Sequence, residues 1–188
     1  MMTIELAPIA TRLISGEELA EMENIEPCEL VEGRIIPMTP SGYPHGSYEG
    51  NFYYALRTFV DSQKLGKVMV GEVGIYTLRN PDTVRGADVI FITNDRYAQR
   101  GPFSYLDIAP DLVVEIMSPN DRWGEVTQKL REYFAIGVRL VWVADPQARS
   151  VYAYRSLINV REFTATDTLL GDDVLPGFTA KVGDLFEE

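Results

Sequence analysis

The chain has 188 residues, of which 46% are apolar and 24% charged, a balance typical of one ordinary soluble folding unit. It contains one cysteine and one histidine, which excludes an internal disulfide and the Cys-rich or His-rich zinc sites. The net charge of −11 argues against a protein that coats nucleic acid.

The acidity is concentrated at the two ends of the sequence. Residues 1–32 contain eight Glu and one Arg, and residues 162–188 contain seven acidic residues and one Lys. The middle, 33–161, has 15 basic and 13 acidic residues, so an anionic substrate can approach it. With so little Cys and His, any metal must be held mainly by oxygen, which is the preference of Mg²⁺, Mn²⁺ and Ca²⁺.

The sequence shows no sign of a membrane association. No apolar run reaches the ~20 residues that a spanning helix needs, and the first residues lack the basic start and long apolar stretch of a secretion signal. We therefore expect a cytoplasmic protein without a membrane partner.

Apolar spacing and turn residues predict the elements in chain order. Helices are expected at 15–22, 45–63 and 125–136, and strands at 29–36 (two, joined at a turn), 68–78, 88–93, 111–117, 140–144, 151–155 and 160–164. Ser15 and Glu18 form a capping box that opens the first helix. Gly33 marks the turn, and Gly66 and Gly137 end the two long helices.

The remaining stretches are predicted as connections: loops at 37–44 and 80–85, a turn at 119–124, and a turn at 175–178 before a short C-terminal element. Strands alternating with two long helices predict a central mixed β-sheet flanked by helices, an α/β or α+β fold. Since the sequence has no repeat and no Gly/Ser linker, we expect one domain over 1–188.

Two carboxylates occupy strand positions where an apolar residue is expected. Asp88 stands at the mouth of the strand Asp-Val-Ile-Phe-Ile. Glu115 lies within an otherwise apolar strand, 111–117, whose two faces both look buried. Acidic side chains are rarely buried unless they are paired or bound to a metal.

Lys129 is the third charged residue at such a position. On the helix 125–136, Val126, Leu130 and Tyr133 belong to the buried stripe, and Lys129 lies at its edge. Its ammonium is therefore expected to face the sheet.

Two carboxylates and one lysine suit phosphoryl chemistry. The carboxylates make a hard-oxygen site for a divalent cation, which activates water and offsets charge on a phosphoryl oxygen. A nearby lysine stabilises the extra negative charge of the transition state. Each residue also has a structural interpretation: Glu115 and Lys129 as a buried salt bridge, and Asp88 as the cap of a turn after Gly86.

Three stretches carry a family resemblance: 83–92 (TVRGADVIFI), 110–120 (PDLVVEIMSPN) and 121–146 (DRWGEVTQKLREYFAIGVRLVWVADP). They resemble the PD-(D/E)XK restriction-endonuclease-like superfamily and, within it, the Uma2 family. The segments ELVEG at 29–33 and VLPGF at 174–178 fit as well, so the resemblance covers most of residues 25–180. It implies a restriction-endonuclease-like fold, a site for Mg²⁺ or Mn²⁺, and a metal-dependent endonuclease that acts on DNA.

The resemblance also implies roles for individual residues. Asp88 and Glu115 match the family's two acidic metal ligands. The superfamily's lysine normally lies two residues after the second acid, where this chain has Met117, and Lys129 fits members in which the lysine lies on the following helix. Glu29 matches a further acid of the catalytic site, and Glu32 is a weaker match.

Relatives often have proline before the aspartate, where this chain has Ala87.

His45 follows Pro44 at the start of the long helix. It is a candidate for substrate binding, either as a phosphate contact or as a general base, with helix capping as the structural alternative. Trp123 and Trp142 are expected in the core or an interface, and Cys28 as an inert core residue. The arginines are expected on a solvated face rather than on DNA: Arg79, Arg85, Arg96 and Arg100.

The sequence leaves two other functions open. The negative net charge fits a catalytically inactive descendant of the fold that serves as a binding module. The apolar terminal hairpin and the VLPGF segment fit a homodimer, with or without activity.

Overall fold

The computed structural model describes residues 12–119 and 121–188. The predicted capping box forms at its start: the Ser15 hydroxyl accepts from the Glu18 N–H at 3.1 Å, and the Ser15 N–H donates to Glu18 at 2.8 Å. These bonds satisfy main-chain donors at the beginning of helix α1 (Gly16–Ala20).

The predicted strand pair at the N-terminal side also forms. Strands β1 (Cys28–Val31) and β2 (Arg34–Pro37) pair antiparallel. The turn between them places both Glu32 (φ 49°) and Gly33 (φ 75°) in the left-handed region, which the glycine adopts without a steric cost.

Helix α2 (Tyr43–Gln63) begins two residues before the predicted start. Pro44 is accommodated there because the first turn of a helix needs no N–H donor. The helix ends at Lys64 in the left-handed conformation rather than at Gly66, which instead begins strand β3 (Gly66–Leu78).

Strand β4 (Thr83–Thr93) is longer than predicted. Residues 83–85, predicted as loop, are strand because they pair with β3, with Tyr76 opposite Val84. Asp88 therefore lies in the middle of a buried strand and not at its mouth. A short helix that the sequence did not predict, α3 (Asn94–Tyr97), follows.

The predicted strand, helix and strand that follow form a crossover. Its elements are β5 (Leu112–Ile116), α4 (Trp123–Ile136) and β6 (Leu140–Asp145), with β5 and β6 parallel. Gly137 ends α4 at φ 97°, in the predicted role.

The C-terminal part adds the predicted hairpin, β7 (Ser150–Ser156) with β8 (Asn159–Phe163). A small two-stranded sheet that was not predicted, β9 (Thr168–Leu170) with β10 (Thr179–Lys181), precedes helix α5 (Val182–Leu185).

The main sheet has the order β2-β1-β4-β5-β6-β7-β8, and β3 pairs with β4. Because Val84 and Val89 each pair with β3 on one side, β1 and β5 share the opposite edge of β4. Strand β1 reaches that edge at Val84 and β5 at Val89. The four residues between, 85–88, face a gap between the ends of these two strands.

Apolar layers cover both faces of this sheet. One contains Phe52, Leu56 and Val60 of α2 packed on Phe91 and Trp142. The other contains apolar residues of α4 packed on the opposite face, including Val126, Leu130 and Tyr133 with Ile90 and Val141. The predicted fold class, a mixed sheet flanked by helices, is confirmed.

Candidate active site

Asp88 lies in the β4 segment that faces the gap between β1 and β5. Only 5% of the residue is exposed. Since Val89 pairs with Val114 in the antiparallel ladder, Asp88 stands opposite Glu115, and the two side chains share a face. The N–H of Ile116, freed by the end of the ladder, donates to Asp88 Oδ2 at 2.6 Å.

Glu115 is bound through both carboxylate oxygens. The Lys129 ammonium donates to Oε2 at 3.0 Å, and the Tyr133 hydroxyl donates to Oε1 at 2.5 Å. Burial raises the pKa of Glu115 to about 7, although the Lys129 ammonium acts to lower it. The negative charge of Glu115 is therefore stabilised by Lys129 and Tyr133 against the effect of burial.

Lys129 Nζ lies at the centre of the cluster. It is 3.0 Å from Glu115 Oε2, 3.1 Å from Glu29 Oε1 and 3.2 Å from the Gly86 carbonyl oxygen. Burial lowers the pKa of Lys129, but the carboxylates of Glu115 and Glu29 outweigh it and hold that pKa well above its usual value. The predicted orientation of this side chain toward the sheet is confirmed.

Glu29 joins the cluster from β1. Its Oε1 also accepts from the Gly86 N–H at 3.1 Å, and its Oε2 accepts from Arg85 at 2.8 Å. Arg85 donates on its other side to both oxygens of Glu132 on α4, at 2.6 and 2.7 Å. The prediction of a solvated Arg85 is therefore wrong, because only 11% of its side chain is exposed and it links two carboxylates.

His45 reaches the opposite side of Asp88 from helix α2. Its Nε2 is 3.2 Å from the Ile116 carbonyl oxygen and 3.6 Å from Asp88 Oδ2. The contact with Asp88 raises the pKa of His45 to about 9, so the ring is charged near neutral pH. The capping alternative is wrong, since the N-cap is Gly42 and the helix has no side-chain cap.

Glu72 is a neighbour that sequence reasoning missed. It lies at φ 52° where the β3–β4 register shifts between Val70 and Val73. Its carboxylate would be 2.6 Å from a Cβ on Gly86, so a glycine at that position leaves room for it. Burial, together with Asp88, raises the pKa of Glu72 to about 7.

One cavity of about 650 Å³ brings these groups together. The predicted residues that line it are Glu29, His45, Asp88, Glu115 and Lys129. Glu32 is not among its lining residues. The cavity is also lined by Tyr133, Arg85 and Glu72. Their signals in the sequence were weak. Tyr133 belongs to an apolar core stripe, Arg85 to a charged turn and Glu72 to an interrupted strand.

Other residues of interest lie elsewhere. A second cavity, about 830 Å³, is lined by Arg79, Arg96 and Phe103 and contains no predicted catalytic residue. Trp142 is buried in the core as expected, whereas Trp123 is 47% exposed at the start of α4. Cys28 is partly buried beside a small apolar cluster.

The donors fit a hard divalent cation, with Asp88 and Glu115 as the carboxylates that could hold it. Within residues 12–119 and 121–188, no three His, Cys, Asp or Glu side chains form a ready ligand set. Instead, the Lys129 ammonium contacts Glu115, and the His45 imidazole lies near Asp88 and the main-chain carbonyl of Ile116.

The model of the Uma2 family, described as putative restriction endonuclease, matches residues 17–183. The chain belongs to the Uma2 family. A solved structure with a similar fold is that of a putative nuclease belonging to DUF820 from Anabaena variabilis. It is 21% identical, with a TM-score of 0.75 over 90% of this chain and 95% of that one.

No curated protein matches the chain at a significant level. Over the described part of the Uma2 protein, no helix is long and apolar enough to cross a bilayer. The resemblance to the Uma2 family and to the restriction-endonuclease-like fold, predicted from the sequence, is confirmed.

Proposed function

We propose that this protein is a metal-dependent endonuclease that hydrolyses phosphodiester bonds in DNA. The observation that carries the proposal is the meeting of Asp88, Glu115 and Lys129 within one open cavity. Membership of a family described as putative restriction endonuclease supports the reaction class.

Asp88 and Glu115 would hold the cation, Mg²⁺ or Mn²⁺. A divalent cation at this point supplies Lewis acidity, which offsets charge on a phosphoryl oxygen and makes water a better nucleophile. Lys129 places an ammonium beside Glu115, where it would stabilise the negative charge that develops on the phosphoryl group.

Glu29 keeps that ammonium in place. It contacts Lys129 Nζ at 3.1 Å, and Arg85 and the Gly86 N–H hold the Glu29 carboxylate in turn. Glu29 is therefore assigned the role of holding the lysine against the β4 edge.

Digestion of supercoiled plasmid DNA with Mg²⁺ or Mn²⁺ tests the proposal. Wild type and Glu162→Ala, an exposed residue of β8, should nick or linearise the plasmid. Glu115→Ala should not, because it removes a ligand and the partner of Lys129. Equal cleavage by Glu115→Ala would assign the activity to another site or to a contaminant.

The second candidate is a catalytically inactive fold that binds a partner. The observation that favours it is the neutralisation of the carboxylates by Lys129 and His45 without a metal. Calorimetric titration with Mg²⁺ and Mn²⁺ separates the two: no heat of binding in the wild type would favour the inactive module.

A homodimer and a cytoplasmic location belong to the same proposal. Ile158, 97% exposed between β7 and β8, and Val160, 45% exposed, leave an apolar edge that a second copy could cover. Light scattering measures the oligomeric state, and a monomer at every concentration would contradict the homodimer.

A further inference from the structure

The end of the β4–β5 ladder leaves main-chain groups without a strand partner. The last paired residues are Val89 and Val114, so the N–H and carbonyl of Ile116 point into the gap beside Asp88. The N–H binds the Asp88 carboxylate. The carbonyl oxygen contacts a side chain from a distant part of the chain, the imidazole of His45.

The nitrogen His45 Nε2 therefore lies beside two oxygens that could bind a cation, Asp88 Oδ2 and the Ile116 carbonyl oxygen. The nitrogen is 3.2 Å from the carbonyl and 3.6 Å from the carboxylate. Adjacent ligands of an octahedral ion at 2.0–2.1 Å are about 3 Å apart. The imidazole nitrogen thus lies at nearly the spacing of an adjacent ligand from each of the two oxygens.

Helix α2 fixes the position of the imidazole. Phe52, Leu56 and Val60 anchor the helix in the core, and Pro44 restrains its first turn. His45 lies in that turn with 11% of its side chain exposed, and its ring is directed at Asp88 and Ile116. Such preorganisation is what a ligand needs if it is to add affinity without a large ordering cost.

We infer that His45 is a nitrogen ligand of the metal rather than a contact for the phosphate. The inference rests on the metal site of the proposed function and adds to it a third ligand and a metal preference. An imidazole nitrogen favours Mn²⁺, Co²⁺ or Ni²⁺ over Mg²⁺, whereas an all-oxygen site does not make that distinction so strongly. The ring coordinates in its neutral form, so its proton is released as the ion binds.

The single histidine makes a direct test possible. The probe is Mn²⁺ alone, bound to the full chain and examined by pulsed electron paramagnetic resonance. We expect the modulation of a coordinated imidazole ¹⁴N, and labelling the protein with ¹⁵N only at histidine should change it. Because the chain has one histidine, this change assigns the ligand without ambiguity.

Calorimetry on variants gives a second readout. His45→Gln and His45→Ala should weaken Mn²⁺ binding about 10–100-fold and Mg²⁺ binding less, so that the preference for Mn²⁺ falls. Ser47→Ala, in the same turn of α2, should bind both ions like the wild type.

The outcomes separate this inference from the proposed function. Mn²⁺ bound without histidine nitrogen coupling, or an unchanged ion preference in both His45 variants, would overturn the role of His45 and leave the two-carboxylate site intact. A wild type that binds neither ion would overturn the metal site as well.

Discussion

The Lys129 ammonium is central because three side-chain and main-chain acceptors converge on it. A lysine can reach them from a helix since its long stem lies along the apolar face of α4 while the charged end continues to the sheet. The functional group is therefore placed by the packing of α4 on the sheet and not by its distance in sequence from Glu115.

Replacing Lys129 by Met tests this arrangement at the level of a single charge. We expect loss of metal-dependent plasmid cleavage and a free energy of unfolding lower by about 3–5 kcal/mol, because removing one partner leaves Glu115 poorly compensated. Chemical denaturation measures the loss. Adding Glu115→Gln should restore most of the stability but not the cleavage, and a double variant as unstable as the single one would contradict the pairing.

Tyr133 supplies the other contact of Glu115, through a hydroxyl at 2.5 Å. Tyr133→Phe keeps the ring in the core and removes only this bond to a charged acceptor. We expect a loss of about 1.5–3 kcal/mol in the free energy of unfolding, measured by urea denaturation. Tyr54→Phe, at a residue that is 73% exposed, should change little. Equal effects of the two changes would mean that the hydroxyl does not support Glu115.

At the scale of the elements, the approach of β3 to β4 depends on Gly66. A Cβ there would lie 2.0 Å from the Ile92 carbonyl oxygen, so the first residue of β3 must be one without a side chain. From this point β3 pairs along the full length of β4. That pairing leaves the opposite edge of β4 free for β1 and β5.

Two glycine-to-alanine changes compare the effect on stability of an added Cβ in β3 and in helix α2. Gly66→Ala should lower the free energy of unfolding by about 1–3 kcal/mol, because the backbone must shift to relieve the contact. Gly50→Ala, in α2 with no atom within 4 Å of the new Cβ, should raise it by about 0.5–1 kcal/mol. Urea denaturation of both variants measures the difference, and a neutral Gly66→Ala would contradict the tight packing.

At the scale of the whole molecule, side chains from β1, β4, β5, α2 and α4 meet at one cavity. A metal that binds this assembled site does not bind the unfolded chain in the same way, so binding must stabilise the fold. The proposed metal site therefore predicts that the stability of the protein rises with metal concentration.

Thermal unfolding with Mn²⁺ measures this linkage. At a free concentration one hundred times Kd the expected stabilisation is about 2.7 kcal/mol, which corresponds to an increase of roughly 5–10 °C in Tm. Asp88→Asn should abolish the increase because it weakens a ligand at the centre of the gap. An equal increase in that variant would place the bound ion elsewhere.

Local signals in the sequence were enough to predict the features that depend only on residues close together in the chain. The capping box at Ser15, the turn at Gly33 and the end of α4 at Gly137 follow from hydrogen bonding and backbone preference within a few residues. The same holds for Lys129, since the helical period alone sets which side chains of α4 face the sheet. Asp88 and Glu115 were conspicuous because a charge in an apolar strand is costly without a partner.

Tertiary structure alone decided which groups became those partners. The roles of Arg85, Glu72 and Tyr133, and the contact of His45 with Ile116, depend on the register of strands far apart in the chain and on the sharing of one β4 edge by β1 and β5. No local pattern encodes that register, because it is set by the packing of both faces of the sheet at once. The residue types present were therefore readable from the sequence, while their arrangement around one point came from long-range pairing.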